Sequence, residues 1–241
     1  MEQSFWQHVA DLRRSLIRSG CALILGFVLS IFLSHNLLEL LTQNAGKLVF
    51  LRPAELLMAQ LKVAFLNGIF VSLPVILWEI GSFFWPALYP PERRALLIYL
   101  PFAFILFTLG MIFGYFVVVR IGYHFLVSLS LPNIQPAISI DHYLSFVISS
   151  VIACALVFML PVVLLLLTRI GIVKASFLWR RQRSMIIALL ILVAVITPTV
   201  DIISMLLVFI PIFLLFELSI LLAWIAEKKA RRRVSPKALR D

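Results

Sequence analysis

Acidic side chains stand beside arginines at two places in the chain. Asp11 lies two residues before the pair Arg13-Arg14, and Glu92 directly precedes the pair Arg93-Arg94. A carboxylate and a guanidinium form two parallel charge-assisted hydrogen bonds, so these positions could bind an arginine of another protein. The same carboxylates, and Glu79 upstream, could instead pair with arginines of their own chain, which is worth about 0–1 kcal/mol at exposed sites. On charge alone, pairing within the chain is the favoured interpretation.

Glu217 is a carboxylate well inside a long apolar run. An ionised carboxylate in lipid is costly and is usually paired or functional. We therefore expect Glu217 to be protonated, to bond to a polar group on a neighbouring helix, or to contact a partner helix.

Residue patterns typical of catalysis or metal binding are missing from the sequence. It contains no HExxH motif, no Gly-rich phosphate loop and no convincing Ser–Lys or Ser–His pair across its apolar runs. The four histidines lack the spacing of metal ligands. Cys21 and Cys154 both lie in apolar runs, where a disulfide framework is not expected. We therefore expect no enzyme activity, metal or cofactor.

The composition indicates a protein whose main solvent is the lipid bilayer. Of the residues, 63% are hydrophobic and 13% are charged. Six apolar runs are predicted to be transmembrane helices, because lipid offers the backbone no water to bond. They are residues 16–34, 63–83, 96–119, 143–168, 184–196 and 202–226. The net charge is +10, but the basic residues lie in blocks between these runs, as topology signals do. We therefore expect no nucleic-acid partner.

The basic residues are distributed very unevenly over the segments between the runs. Alternate segments that would share one side of the membrane hold 17 lysines and arginines, and the other segments hold 4. The positive-inside rule therefore predicts both termini in the cytoplasm. Residues 1–241 would form one membrane domain with a basic cytoplasmic tail at 227–241. The long, partly apolar outer connections, 35–62 and 120–142, are predicted to be ordered caps.

Two features bear on the shape of the predicted bundle. Prolines fall within four of the runs, and each tends to kink its helix: Pro74, Pro101, Pro161 and Pro211. They predict a curved, kinked bundle. The fifth run would reach only about 20 Å across about 30 Å of hydrocarbon. Either its flanking residues snorkel or the bilayer is thinned beside it.

Residues 82–94 carry a specific motif. They read Ser-Phe-Phe-Trp-Pro-Ala-Leu-Tyr-Pro-Pro-Glu-Arg-Arg, which resembles the first cytoplasmic loop of TatC proteins, F-x-x-P-A-L-Y-x-x-E-R-R. The N-terminal His8-x-x-Asp11-Leu12-Arg13 is similar to the family's H-x-x-E-L-R. Further matches include residues 73–77, 197–201 and 216–217. Because these motifs occur in order over nearly the whole length, the chain is identified as a member of the TatC family.

This resemblance implies a Sec-independent protein translocase subunit of the bacterial cytoplasmic (inner) membrane. TatC proteins bind twin-arginine signal peptides of folded proteins, recruit single-span TatA and TatB proteins, and work with the proton-motive force. A homo-oligomer within that complex is expected. The resemblance implies a signal-peptide site that comprises Glu92, Asp11, Arg13, Phe83 and Leu88. We add Glu79 to this predicted site because of its position near the inner surface. The predicted partner-helix or structural positions are Glu217, Asp201, Pro198, Met159 and Pro74.

Two residues depart from the family pattern, and one alternative function remains to be weighed. Asp11 is one methylene shorter than the family's glutamate, and Met159 stands where many TatC proteins carry a polar or acidic residue. The alternative is a small secondary transporter, which predicts a polar cavity at the midplane with several charges inside the spans. Only Glu217 lies deep in a predicted span, which disfavours that alternative.

Overall fold

The computed structural model describes residues 2–43, 45, 48–85, 90–128, 138–169, 173, 175–196 and 202–234. Among these residues every secondary-structure element longer than a single bridge is a helix, which confirms the all-α prediction. The helices are α1 (Glu2–Thr42), α2 (Ala54–Phe84), α3 (Pro90–Phe113), a π-helical segment (Gly114–Val119), α4 (Arg120–Ser128), α5 (Ile140–Arg169), α6 (Ala175–Arg180), α7 (Gln182–Ile196) and α8 (Ile202–Val234).

Four stretches of these helices are long and apolar enough to cross a membrane. They are Leu12–Thr42, Ala54–Phe83, Leu96–Phe125 and Ile140–Thr168. Shorter apolar stretches, Gln182–Ala194 and Val208–Leu222, lie in α7 and α8. The helices extend past the predicted spans, since polar turns continue a helix beyond the part that apolar residues mark. Thus α1 begins at Glu2, and α8 continues through the basic segment to Val234.

Helix α5 is the centre of the bundle. It packs against α2, α3, the π-helical segment, α7 and α8, and it contributes residues to each of the three clusters of buried apolar side chains. Half of the most apolar stretch of α5 is buried in the bundle. The corresponding share for α1, which packs mainly on α2, is 11%. The edge position of α1 leaves most of its apolar surface to face lipid.

Glycines permit the closest helix contacts. A Cβ atom built on Gly26 of α1 would lie 2.7 Å from the carbonyl oxygen of Gly68 of α2. Ser30 and Asn67, beside this crossing, form a hydrogen bond of 3.1 Å. Small residues allow membrane helices to approach closely, and side-chain hydrogen bonds then join them. The four prolines lie inside helices: Pro74 in α2, Pro101 in α3, Pro161 in α5 and Pro211 in α8. Curvature of the bundle stays a prediction.

Three tyrosines tie the carboxyl end of α1 to the rest of the bundle. Tyr115 donates to the Leu40 carbonyl at 2.8 Å, Tyr143 to the Leu41 carbonyl at 3.0 Å, and Tyr123 to the Ala45 carbonyl at 2.6 Å. The last carbonyls of a helix have no partner within it, so the hydroxyl groups of Tyr115 and Tyr143 satisfy two of them in α1. The hydroxyl group of Tyr123 bonds to the segment that follows α1. Alongside, the parallel bridge between Val49 and Ser139 joins the two long connections.

Candidate functional site

Glu79 is a buried carboxylate near the carboxyl end of α2. The residue is only 7% exposed. Its Oε1 atom lies 3.6 Å from Nη1 of Arg18 on α1, a separation longer than a good hydrogen bond. Its Oε2 atom is buried and has no hydrogen-bond partner among the described residues. Because the Arg18 side chain is 67% exposed, this pair leaves the buried carboxylate with unused capacity to accept hydrogen bonds.

The contacts between α1 and α2 fix an antiparallel register. Arg18 lies level with Glu79, and Gly26 lies level with Gly68. Asp11 is seven residues before Arg18, which at 1.5 Å per residue puts its level about 10 Å beyond Glu79. Since α2 ends five residues after Glu79, Asp11 lies close to the level at which α2 ends.

Helix α3 starts at the same end of the bundle. It runs antiparallel to α2, with the side chain of Leu100 against Gly81. Glu92 is the third residue of α3, about 12 Å from the level of Leu100 and toward the amino end of α3. The register therefore gives Asp11 and Glu92 levels within about 5 Å of each other. For both residues the structure describes the helical backbone and not the side chain.

The other predicted binding residues fall into two groups. Arg13 is exposed on α1, and Phe83 is half-buried in the last turn of α2. Leu88 lies outside the described residues. Sequence reasoning missed Trp85: the guanidinium of Arg93 lies 5.6 Å from the centre of its ring, within the range of a cation–π interaction. This contact joins the residue that follows α2 to the first turn of α3, and only the proximity of an aromatic residue to the arginine pair hinted at it.

Glu217 has a polar partner on another helix. The side-chain amide of Gln182, the first residue of α7, donates to Oε1 of Glu217 on α8. Glu217 is half-buried, one residue after the buried Phe216 that packs in the cluster shared by α5, α7 and α8. The hydrogen bond therefore joins α7 to α8 next to the apolar cluster that these two helices share with α5.

The remaining predicted structural positions are spread over the bundle. Met159 is half-buried and packs against the cluster formed by α2, α3 and α5. Pro74 is exposed on α2. Pro198 and Asp201 lie outside the described residues. The structure therefore brings Glu217, but neither Met159 nor Pro74, into a polar contact between described helices.

Comparison with known proteins decides the family. A family model described as Sec-independent protein translocase protein (TatC) matches residues 7–211. The chain belongs to the TatC family. Among relatives, TatC of Carboxydothermus hydrogenoformans is 35% identical over 91% of this chain and 92% of its own length. TatCy of Bacillus subtilis is 32% identical over 96% and 92%.

The fold agrees with that of solved TatC proteins. A crystal structure of the twin-arginine translocase receptor TatC in the detergent DDM matches with a TM-score of 0.79 and 32% identity, over 90% of this chain and 99% of that one. A second crystal structure of the receptor TatC gives a TM-score of 0.77. As a TatC protein, the chain is a component of the Sec-independent protein translocase and a multi-pass protein of the inner membrane, and the secondary-transporter alternative is wrong.

Proposed function

We propose that this TatC protein spans the inner membrane six times, with both termini in the cytoplasm, and acts as the receptor for twin-arginine signal peptides of folded proteins. The uneven distribution of lysine and arginine, 17 against 4 between alternate segments, supports this orientation. Helices α7 and α8 pack on α5 through a shared apolar cluster, which supports counting them as the fifth and sixth spans. At 15 residues, α7 is about 22 Å long, so it would need a thinned bilayer or snorkelling flanks.

The signal peptide would bind at the cytoplasmic end of α1, α2 and α3. The observation that carries this proposal is the motif at 82–94, whose described residues lie at the end of α2 and the start of α3, near the level of Asp11. Glu92 and Asp11 would face the two peptide arginines, and each charge-assisted hydrogen bond would contribute about 1.5–3 kcal/mol. Arg13, Phe83 and Leu88 would shape the surroundings of this pair.

Glu79 would serve a different part of the peptide. Its level lies about 10 Å deeper than that of Asp11, which an extended peptide covers in about three residues. The peptide's twin arginines therefore cannot reach Glu79 while they bind Asp11 and Glu92. The unpartnered Oε2 atom of Glu79 would accept a hydrogen bond from a polar group farther along the peptide.

The partners of the receptor would be single-span proteins of the TatA and TatB type, and further copies of this chain within the complex. The contact of Glu217 with Gln182 supports a role in fixing α7 against α8, so that these helices present a defined surface to a partner helix. Pro198 and Asp201 belong to the connection between α7 and α8. Transport itself would be driven by the proton-motive force.

Export of a reporter tests the receptor proposal. Cells that lack the chromosomal gene would carry wild type, Glu92→Gln, Asp11→Asn or the control Glu39→Gln, which changes an exposed carboxylate paired with His35 near the other end of α1. We expect Glu92→Gln and Asp11→Asn each to lower export by about tenfold, because one charge-assisted contact is lost. The control should export normally. Full export by both site variants would contradict the proposal.

A further inference from the structure

A groove lies between α2 and α5, at the end of the bundle opposite Glu79. Its volume is about 360 Å³, comparable with the smaller ligand sites of proteins. Four apolar side chains line it: Met58, Leu61, Phe65 and Ile148. Met58 is 51% exposed and Phe65 is 45% exposed, so the groove opens to the lipid-facing surface rather than to a closed core.

One end of the groove is polar. Lys62 lines it together with Ser145 and Ser149. The Nζ atom of Lys62 donates to Oδ1 of Asp141 at 2.6 Å and to Oγ of Ser145 at 2.8 Å. The Lys62 and Asp141 side chains are each about a third exposed, at 36% and 32%. A lysine has three N–H donors and a carboxylate has two oxygens, so each side chain of this pair retains a bonding position.

The charges of α2 give the depth of this polar end. Lys62 and Glu79 enclose a stretch, residues 63–78, that contains no charged side chain. They are 17 residues apart, or about 26 Å along the helix. That length approximates the hydrocarbon thickness of about 30 Å. Lys62 therefore lies at the level of the lipid headgroups, while Phe65 and Ile148 lie at the level of the acyl chains.

We propose that the groove binds one molecule of phosphatidylethanolamine. An acyl chain lies against the four apolar side chains, the phosphate accepts a hydrogen bond from Lys62, and the primary ammonium group donates to Asp141. Charge complementarity selects this lipid: the protein presents a positive and a negative group side by side, and the headgroup carries the opposite pair. Phosphatidylglycerol has no cation for Asp141, and the trimethylammonium of phosphatidylcholine has no N–H to donate.

This site is separate from the proposed receptor site. The groove lies at the opposite end of α2 from Glu79 and the start of α3. Lipid binding uses no signal peptide, so failure of this inference would leave the receptor proposal intact, and failure of the receptor proposal would leave this one intact.

Native mass spectrometry of the full-length protein in detergent tests the proposal. The protein would be titrated with each of the three phospholipids, all with the same acyl chains. We expect wild type to retain phosphatidylethanolamine about tenfold more strongly than phosphatidylcholine, since one charge-assisted hydrogen bond distinguishes them. Equal retention of the three lipids, or preference for phosphatidylglycerol, would overturn the proposal.

Two variants separate lipid recognition from a purely structural ion pair. Asp141→Asn removes the acceptor charge but keeps Lys62, so the preference should shift to phosphatidylglycerol. Lys62→Met should lower retention of all three lipids. The control Glu39→Gln should behave as wild type, because its carboxylate is outside the groove. An Asp141→Asn protein that unfolds at the wild-type temperature and keeps the wild-type lipid preference would contradict the assignment.

Discussion

Gly110 of α3 faces α5 at a distance that leaves no room for a methyl group. A Cβ atom at this position would lie 2.6 Å from Cα of Ala155, 2.8 Å from Cβ of Phe158 and 2.9 Å from the carbonyl oxygen of Cys154. Carbon atoms pack at about 3.5–4.0 Å, so the Gly110→Ala substitution requires α3 and α5 to separate by about 1 Å. Two of the three obstructing atoms belong to the backbone of α5, which cannot rotate away as a side chain can.

Overpacking of this kind costs about 1–3 kcal/mol. For a chain of this size, each kcal/mol lowers the unfolding midpoint by about 2–4 °C. Thermal unfolding of the purified protein in detergent would measure the change. Gly81→Ala should have a smaller effect, because its Cβ would meet only the flexible end of Leu100 at 3.1 and 3.2 Å. Gly20→Ala is the matched control, since nothing lies within 4 Å of its Cβ position.

The double variant Gly110→Ala with Ala155→Gly sharpens this test. Removing the methyl group of Ala155 leaves its Cα atom in place, so the double variant should stay destabilised. If Gly110→Ala unfolded at the same temperature as Gly20→Ala, α3 would not pack on α5 as described. The close packing of α3 on α5, the central helix of the bundle, would then be unsupported.

Three further predictions concern the partner surface, the cap and the choice of peptide. Glu217→Leu should lower the amount of single-span partner that copurifies with this protein, whereas Glu217→Gln should retain a hydrogen bond to Gln182 and lose less; equal copurification for Glu217→Leu and wild type would contradict this. Tyr143→Phe should lower the free energy of unfolding by about 0.5–1.5 kcal/mol, because the Leu41 carbonyl loses its closer donor and keeps only the 3.5 Å contact from the Tyr115 hydroxyl; an unchanged denaturation midpoint would contradict it. A twin-lysine peptide should bind more weakly than a twin-arginine peptide in a direct titration, because an ammonium group cannot form the bidentate contact; equal affinities would refute that reason.

The sequence predicts the kind of fold well, because lipid imposes a single solution on long apolar runs. Each predicted span coincides with helix in the described residues. The sequence does not reveal how far each helix continues into water. Apolar composition marks the lipid-facing part, whereas α1 continues to Thr42 because its last carbonyls bond to tyrosines from distant parts of the chain.

Individual residues of the site differ in how far sequence reasoning reaches them. Glu92 is identified by a local motif, which needs no knowledge of tertiary structure. The burial of Glu79 and its distance from Arg18 depend on the register of α1 against α2, which glycines at the crossing set. The contact of Lys62 with Asp141 joins residues 79 positions apart. Neither pairing has a sequence signature, because packing geometry decides which charged residues meet.

Photo-crosslinking of a signal peptide tests the central claim most directly. A peptide with a photoreactive residue next to its twin arginines would be bound to the full-length protein in membranes, and the labelled positions would be read by mass spectrometry. We predict labelling at the first turn of α3, around Glu92, and on the amino-terminal part of α1, around Asp11, with a strong loss of labelling in Glu92→Gln. Labelling near Lys62 at the opposite end of the bundle, or equal labelling of wild type and Glu92→Gln, would contradict the account.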